Sequence, residues 1–278
     1  MAIDSLDGLV KGMGQGMRHP FQKASMSTMV AGHQASLWRA TGVPTQAAIP
    51  TTAAICAFPL SGSNALPTKA ADQHRVLAQL TFQMAFAGST LLIEDRLMHM
   101  GGLLGNSVAI QTANVNLYSN LANNNLAERI GESDYSEVQW FLEWYTATGA
   151  TVSTPTAQCT FHDGTTGSVN IYAWGATALP ASVAAGRRYR INPTNGKYIR
   201  SVEAVTLSAS TGTAGNFGVT AVRPRAAALC PTASQLTTID WSMLGAPRIF
   251  DQSCITFSQA CITTTSGALV GDMLFAVA

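Results

Sequence analysis

The carboxylates best placed for acid–base chemistry are Glu137 and Glu143, which flank Trp140. On a strand they would share a face, but their separation would be about 20 Å. Glycoside hydrolysis needs two carboxyl groups roughly 5 to 9.5 Å apart, so these residues cannot form a catalytic pair on one straight strand. The consecutive Glu94, Asp95 and Arg96 lie near the end of a predicted strand. An ion pair with a neighbouring element is their expected role.

The sequence contains no pattern that is typical of nucleophilic catalysis or of a metal site. The chain has no G-x-S-x-G motif, which hydrolases use to present a reactive serine. Histidines occur singly, and although His162 and Asp163 could orient one another at a turn, an ordinary loop histidine is expected there. The glycine-rich residues 12–16 lack the following Lys-Ser/Thr of a phosphate loop. The sequence therefore predicts no catalytic residue, no cofactor and no metal site.

The cysteines also favour a structural interpretation. The chain has five of them, and they form neither a C-x-x-C pair nor a zinc-like spacing with histidine. An odd number in a chain of this length predicts buried free thiols in a protein made in a reducing cytoplasm. No signal peptide is recognisable, and no apolar run reaches the roughly 18 residues that span a bilayer. We expect neither export nor a membrane partner.

Charge is scarce in this sequence. Charged residues make up 11% of the 278 residues and the net charge is +1, whereas soluble domains carry about 25% charged residues. We expect much of the surface to be covered by other subunits, with a Thr/Ser-rich secreted sandwich as the alternative. A nucleic-acid partner is not expected, because binding phosphates needs clustered cations. The one basic cluster, Arg187, Arg188 and Arg190, is too short and predicts a solvated turn or an intersubunit ion-pair site.

Residues 1–50 show no sustained periodicity and predict an extended N-terminal arm. The arm carries too many apolar side chains for a solvated tail, since exposing each would forfeit about 1.5 to 3 kcal/mol. We expect it to lie along this chain's own domain or along a neighbouring subunit. The candidate assembly contacts are Met17, Phe21, Met26, Leu37 and Trp38.

Residues 51–278 predict a β-sandwich, because apolar and polar residues alternate with the period of a strand. Residues 77–86 and 91–98 are expected to form a hairpin through a turn at 87–90, and a long loop insertion covers about 101–135, with a short helical stretch near 126–130. The segment 138–145 carries aromatics on both faces and predicts a central strand. Further strands are predicted at about 157–162, 168–174, 187–191, 198–208, 215–223, 253–263 and 268–277. Short strands separated by turn residues favour an all-β, jelly-roll-like antiparallel β-sandwich.

Several aromatic residues could stack on sugar rings if they were exposed, as in a carbohydrate-binding module. Core packing is the favoured interpretation for these side chains. They are Trp140, Trp144, Tyr145, Tyr172 and Trp174.

Six short segments form a recognisable set: residues 21–25 (FQKAS), 36–38 (SLW), 42–44 (GVP), 93–97 (IEDRL), 200–207 (RSVEAVTL) and 212–220 (GTAGNFGVT). With these segments the chain resembles a family of tailed-bacteriophage structural proteins of poorly defined role. The resemblance implies a virion component: a capsid decoration (cement) protein, a minor head protein or a tail subunit. It brings no catalytic residues. The usual major-capsid fold of tailed phages fits poorly, because no long spine helix is predicted.

The leading hypothesis is a non-enzymatic, trimeric capsid decoration or auxiliary head protein whose partners are its own copies and the major capsid protein. Its expected location is the virion, after synthesis in the host cytoplasm. A tail or baseplate subunit, or a carbohydrate-binding module for host attachment, is the alternative. An enzyme such as a depolymerase is disfavoured, because no reactive group can be assembled from the sequence.

Overall fold

The computed structural model describes residues 5–25, 30–173, 175–193, 196–262 and 267–277. Within these ranges the chain forms sixteen strands. The first eight are β1 (Met17–Lys23), β2 (Gln34–Ser36), β3 (Gly42–Val43), β4 (Ala54–Ile55), β5 (Arg75–Met84), β6 (Thr90–Leu104), β7 (Gln111–Asn116) and β8 (Gln139–Trp144). The remaining eight are β9 (Pro155–Phe161), β10 (Thr166–Asn170), β11 (Arg187–Ile191), β12 (Ile199–Leu207), β13 (Asn216–Leu229), β14 (Thr237–Asp240), β15 (Ile255–Ala260) and β16 (Leu269–Val277).

The helices of the described chain are short. They are α1 (Leu6–Gly14), α2 (Leu126–Arg129), α3 (Trp241–Leu244) and a 3-10 turn at Tyr118–Asn120. Helix α1 begins where the Ser5 side chain accepts a hydrogen bond from the Gly8 N–H, which satisfies one of the donors left free at a helix start. The all-β prediction is confirmed.

The strands form three antiparallel sheets. One has the order β14-β5-β16-β1-β3, and a second has the order β10-β9-β12-β7. The third has the order β13-β8-β11-β2-β15-β6-β4, and β13 also pairs with β6. Six of its strands therefore close on themselves into a ring, with β4 attached outside. We call this ring the closed sheet.

Two apolar cores flank the closed sheet. Trp140 and Leu142 of β8 pack with Val202 of β12 and Val115 of β7, which joins the closed sheet to the four-stranded sheet. On another side, apolar residues of β6 and β15 pack against the five-stranded sheet, including Ile93, Phe257, Leu80, Phe82 and Phe275. Truncating a large side chain in such a core costs about 3 to 5 kcal/mol. The apolar residues of the closed sheet that form these two cores thus face outward, towards the other two sheets.

The alternation in residues 77–86 correctly predicts strand β5. Leu80, Phe82 and Met84 are fully buried and Gln83 is exposed. The predicted hairpin with the following strand is wrong, because β5 pairs with β14 and β16 whereas β6 pairs with β4, β13 and β15. Sheets pack about 10 Å apart, and the residues between Met84 and Thr90 are enough to cross from one sheet to the other.

The central-strand prediction for 138–145 is confirmed by β8, which lies between β11 and β13 and is buried on both faces. The predicted helical stretch is α2. The interval predicted as a loop, about 101–135, contains the end of β6, strand β7 and α2. The strand predicted at about 268–277 is β16, which is paired on both sides, by β5 and β1.

The described parts of residues 1–50 contribute strands to two sheets. Strand β1 pairs with β16 and β3, while β2 lies between β11 and β15 in the closed sheet. Two sheets therefore contain strands from residues 1–50 as well as strands from residues 51–278, so the predicted boundary does not separate two structural units.

Candidate functional site

Three consecutive charged residues lie in the middle of β6, and all three are buried. Successive side chains on a strand point to opposite faces, so Glu94 and Arg96 share one face and Asp95 takes the other. Burying a charge is unfavourable unless it is paired and hydrogen-bonded. Each of the three has an oppositely charged partner within this chain, which confirms the ion pairs expected from the sequence.

The first pair joins Glu94 to Arg188 of β11. Arg188 Nη1 lies 2.7 Å from Glu94 Oε2, and its Nη2 also bonds the same carboxylate. Ser258 of β15 accepts from Arg188 Nη2 at 2.6 Å and lies 3.1 Å from Glu94. Strands β2 and β15 separate β11 from β6 in the sheet order, so this contact crosses the interior of the closed sheet. The guanidinium also stacks 4.1 Å above the Phe141 ring.

The second pair joins Arg96 to Glu143 of β8, across β13. Arg96 Nη1 lies 2.8 Å from Glu143 Oε2, and Arg96 Nη2 donates to Tyr145 and to Thr220, both at 3.1 Å. Thr220 in turn donates to Glu143 at 2.8 Å. Burial alone would raise the pKa of Glu143, but Arg96 and the surrounding hydrogen bonds hold it below its usual value. Both members of the pair are therefore charged at neutral pH.

His99 completes the surroundings of Arg96. Burial and the nearby Arg96 charge hold the pKa of His99 well below its usual value, so the ring is neutral and its Nδ1 can accept from Arg96 Nε at 3.0 Å. The Cζ atom of Arg96 lies 4.7 Å from the centroid of the Trp38 ring, and Trp38 packs edge-on against His99. An aromatic face attracts a desolvated cation, which gives Trp38 a role inside the chain.

The third pair joins Asp95 to Arg129 on the outer face of the closed sheet. Arg129 binds the carboxylate through Nε at 3.0 Å and Nη2 at 2.6 Å. Ser253 Oγ and the Cys254 N–H each donate to Asp95 at 2.8 Å, while Arg129 also donates to the Cys56 carbonyl at 2.8 Å. The bidentate geometry, together with hydrogen bonds to both carboxylate oxygens, offsets the cost of removing the two charges from water. This pair fixes α2 against β6.

The five predicted assembly contacts have different positions. Phe21, Leu37 and Trp38 are buried, and the Phe21 ring packs 4.5 Å from that of Phe257. These side chains contact this chain, so they offer no surface to another subunit. Met17 is 56% exposed and its assembly role stays a prediction. Met26 lies outside the described residues.

The basic cluster differs from its prediction of a solvated turn or intersubunit site. Arg187 and Arg188 lie in strand β11 and are buried, and Arg188 pairs with Glu94 of the same chain. The prediction failed because β11 is an interior strand whose neighbours on both sides are strands of the closed sheet. Arg190 is exposed at the end of β11.

The other candidate groups are separated in the structure. Glu143 is buried with Arg96, whereas the partly exposed Glu137 pairs with Arg223. His162 Nδ1 accepts from the Tyr198 N–H at 3.2 Å, and Asp163 pairs with Lys197 at 2.7 Å. His162 and Asp163 thus each have another partner.

Core packing is confirmed for three of the aromatics singled out above. Trp140, Trp144 and Tyr145 are buried, and Tyr172 is partly exposed; Trp174 lies outside the described residues. The cysteines are buried free thiols, as predicted.

No group of three or more His, Cys, Asp or Glu side chains in the described ranges is placed to hold a metal ion. No helix in the described part of the chain is long and apolar enough to cross a membrane. Glu94, Arg96, Glu143 and Arg188 are bound in pairs inside the closed sheet, so the arrangement cross-links its strands. A sequence signal for it existed in the three adjacent charges of β6, but their partners lie far away along the chain.

No protein-family model matches the chain, and no curated protein matches it. Weak likenesses to solved structures include a subviral particle of infectious bursal disease virus VP2, with 10% identity, a TM-score of 0.19, and coverage of 94% of this chain and 80% of that one. Derived T=1 particles of the same virus give 10% identity, a TM-score of 0.18, and coverage of 94% and 77%. The structure of its Gx strain gives 12% identity, a TM-score of 0.17, and coverage of 94% and 61%. TM-scores this low do not establish a shared fold.

Proposed function

We propose that this chain is a non-enzymatic structural subunit of a virus particle, and more specifically a capsid decoration (cement) or auxiliary head protein of a tailed bacteriophage. Its partners are other copies of itself, with a trimer favoured, and the major capsid protein. Neither nucleic acid nor a membrane is among these partners. The phage setting rests on the sequence resemblance, and the assembly role rests on the surface described next.

The observation that carries the proposal is an apolar tip formed by residues 104–110, between β6 and β7, which we call the β6–β7 tip. Leu104, Val108 and Ile110 are 46%, 54% and 73% exposed. No Asp, Glu, Lys or Arg occurs between Arg96 and Glu128. Scattered apolar side chains are normal on a monomer, but a cluster without charge marks an interaction site.

The β6–β7 tip is held in place at its base. The Gln111 side chain accepts from the Leu104 N–H at 2.6 Å and donates to the Leu104 carbonyl at 3.0 Å. Gly105 exchanges backbone hydrogen bonds with the 211–215 segment, including one from Thr211 N–H at 2.9 Å. A surface fixed before binding loses less conformational entropy on association. This is the property expected of a preformed assembly contact.

The test compares Ile110→Lys with Leu236→Lys, which changes a 62% exposed apolar residue beside β14. Light scattering coupled to size-exclusion chromatography gives the oligomer mass, and unfolding midpoints verify that both variants fold. We expect the wild type and Leu236→Lys to form the same oligomer and Ile110→Lys to dissociate, because the charge would have to be buried in the contact. A monomeric wild type at micromolar concentration, or equal assembly of both variants, would contradict the proposal.

The position in the particle has a separate test. Quantitative mass spectrometry of purified virions of the encoding phage should give a copy number in the hundreds, because decoration proteins follow the capsid lattice. A handful of copies would place the chain in a baseplate or fibre and contradict the head assignment, and absence from virions would contradict the virion role itself.

A further inference from the structure

One end of the closed sheet opens into a cavity of about 640 Å³. Four of the residues that line this cavity are aligned in register across four neighbouring strands: Arg188 of β11, Gln34 of β2, Ala260 of β15 and Thr90 of β6. Residues paired in this way project from the same face of a sheet. Because Arg188 reaches Glu94 across the interior, all four project inward. The cavity is therefore the mouth of the closed sheet, and its volume is typical of a small-molecule site.

The next row outward gives the mouth an aromatic wall and a second cation. Arg190 pairs in register with Phe141, and both line the cavity. Tyr172, Tyr189 and Ile262 add apolar area around the rim. Small-molecule sites combine such apolar walls with a few convergent polar groups.

Three buried polar atoms of residues that line this mouth lack hydrogen-bond partners in the described structure: His33 Nδ1, Gln34 Oε1 and Arg188 Nε. The Arg188 side chain is 1% exposed, and while both its terminal nitrogens bond Glu94, its Nε has no hydrogen-bond partner among the described residues. The buried Oε1 of Gln34 has none there either. A buried polar group left unpaired costs about 1 to 3 kcal/mol. A ligand that supplies an acceptor to Arg188 and a donor to Gln34 would recover that cost.

The charge of the mouth selects the sign of the ligand. The described residues lining the cavity include Arg188 and Arg190 but no Asp or Glu. Glu94 neutralises Arg188, whereas Arg190 forms no ion pair within the described ranges. One positive charge is therefore left beside an apolar cavity, and guanidinium groups bind carboxylates with favourable geometry.

We propose that the mouth of the closed sheet binds a small aromatic hydroxy acid. The carboxylate pairs with Arg190 and accepts from Arg188 Nε, the ring lies against Phe141 and the rim, and the hydroxyl donates to Gln34. This site goes beyond the assembly role and does not depend on it. Ile110→Lys should therefore leave ligand binding unchanged.

The test uses 4-hydroxyphenylacetate as the probe and titration calorimetry of the full chain. The matched uncharged compound is 4-hydroxyphenylethanol, and N-acetylglucosamine represents a neutral sugar. We expect the acid to bind with an affinity higher than either by about tenfold or more. Arg190→Gln should remove that preference, whereas Arg18→Gln, which deletes an exposed arginine of the five-stranded sheet, should keep it.

A second variant, Ala260→Trp, fills the mouth and should abolish binding, with an unchanged unfolding midpoint showing that the chain still folds. The proposal is overturned if the acid does not bind at about 1 mM, if the alcohol binds equally well, or if only the sugar binds. It is also overturned if Arg190→Gln and Arg18→Gln lose the same amount of affinity for the acid. If Ala260→Trp unfolds the chain, the Arg190→Gln and Arg18→Gln comparison still decides the outcome.

Discussion

Replacing Glu143 with Gln removes one charge from the interior of the closed sheet and keeps the shape of the side chain. Gln can still accept from Thr220, which donates to Glu143 at 2.8 Å, so the main loss is the charge facing Arg96. The carboxylate lies 2.8 Å from Arg96 Nη1, and both side chains are almost fully buried. The substitution thus leaves a buried guanidinium without its counter-charge.

The expected loss in the free energy of unfolding is about 3 kcal/mol. Two unit charges 4 Å apart interact by about 4 kcal/mol at an effective dielectric constant of 20, and removing one partner of a buried pair typically costs 3 to 5 kcal/mol. The Thr220 and Tyr145 hydroxyl groups already accept from Arg96 Nη2, and these two hydrogen bonds remain in the variant, which places the expectation at the lower end. Glu137→Gln is the matched control, because Glu137 pairs with Arg223 while 44% exposed, and exposed pairs contribute about 1 kcal/mol or less.

Urea denaturation followed by tryptophan fluorescence measures both variants, and a cycle with Arg96→Met should give a coupling energy of about 2 kcal/mol. The dependence on pH provides a second check. Because the folded-state pKa of Glu143 lies below its ordinary 4.5, the charged pair stabilises the protein above that pH and loses its effect as the pH falls through the lower value. A Glu143→Gln effect as small as that of Glu137→Gln, or one independent of pH down to acid unfolding, would refute this reasoning.

Three further predictions concern other buried groups. Burial raises the pKa of Cys56 and of Cys159 to about 12, so the native protein should not react with Ellman's reagent at pH 8 and should release its thiols in denaturant; rapid native labelling of either cysteine would contradict their burial. Burial lowers the pKa of Lys23 from 10.5 to about 8, so the folded state binds fewer protons than the unfolded state between these pH values. The free energy of unfolding of the wild type should therefore rise with pH, relative to that of Lys23→Met, from about pH 8 to pH 10.5. A difference between the two proteins that does not change with pH would contradict this prediction. A Cβ on Gly218 would lie 1.7 Å from the Met100 carbonyl oxygen, so Gly218→Ala should destabilise by about 3 kcal/mol, whereas Gly14→Ala, with open space around it, should not.

Local periodicity was sufficient to predict the strands that face an apolar layer. Strands β5, β8 and β16 each bury a continuous apolar face, and the sequence alone locates them. The missed strands are those whose stability comes from pairing instead of alternation. Strand β2 has three residues and lies between β11 and β15, so its position depends on neighbours distant in sequence, which a local pattern does not contain.

The charged interior is the part of the site that the sequence did not predict in full. The three charges of β6 predicted ion pairs, but Arg188 was assigned to a turn or an interface because short basic clusters usually lie on the surface. Its burial requires that β11 lie between two other strands and that the sheet close into a ring. The pairing of β13 with β6 produces that closure. Long-range closure of this kind cannot be inferred from the spacing of residues along one strand.

Some of the few charged side chains of this chain lie in its interior and not on its surface. Its closed sheet encloses Glu94, Arg96, Glu143 and Arg188, whereas the exposed β6–β7 tip lies in a stretch without charged residues. Such interior pairs contribute little net stability compared with apolar packing, but a slip of one residue in β6 would move its charges into the apolar layer beside Ile93 and Phe257. The pairs therefore oppose alternative registers of β6. Leaving its tip uncharged is consistent with a surface that another protein copy covers.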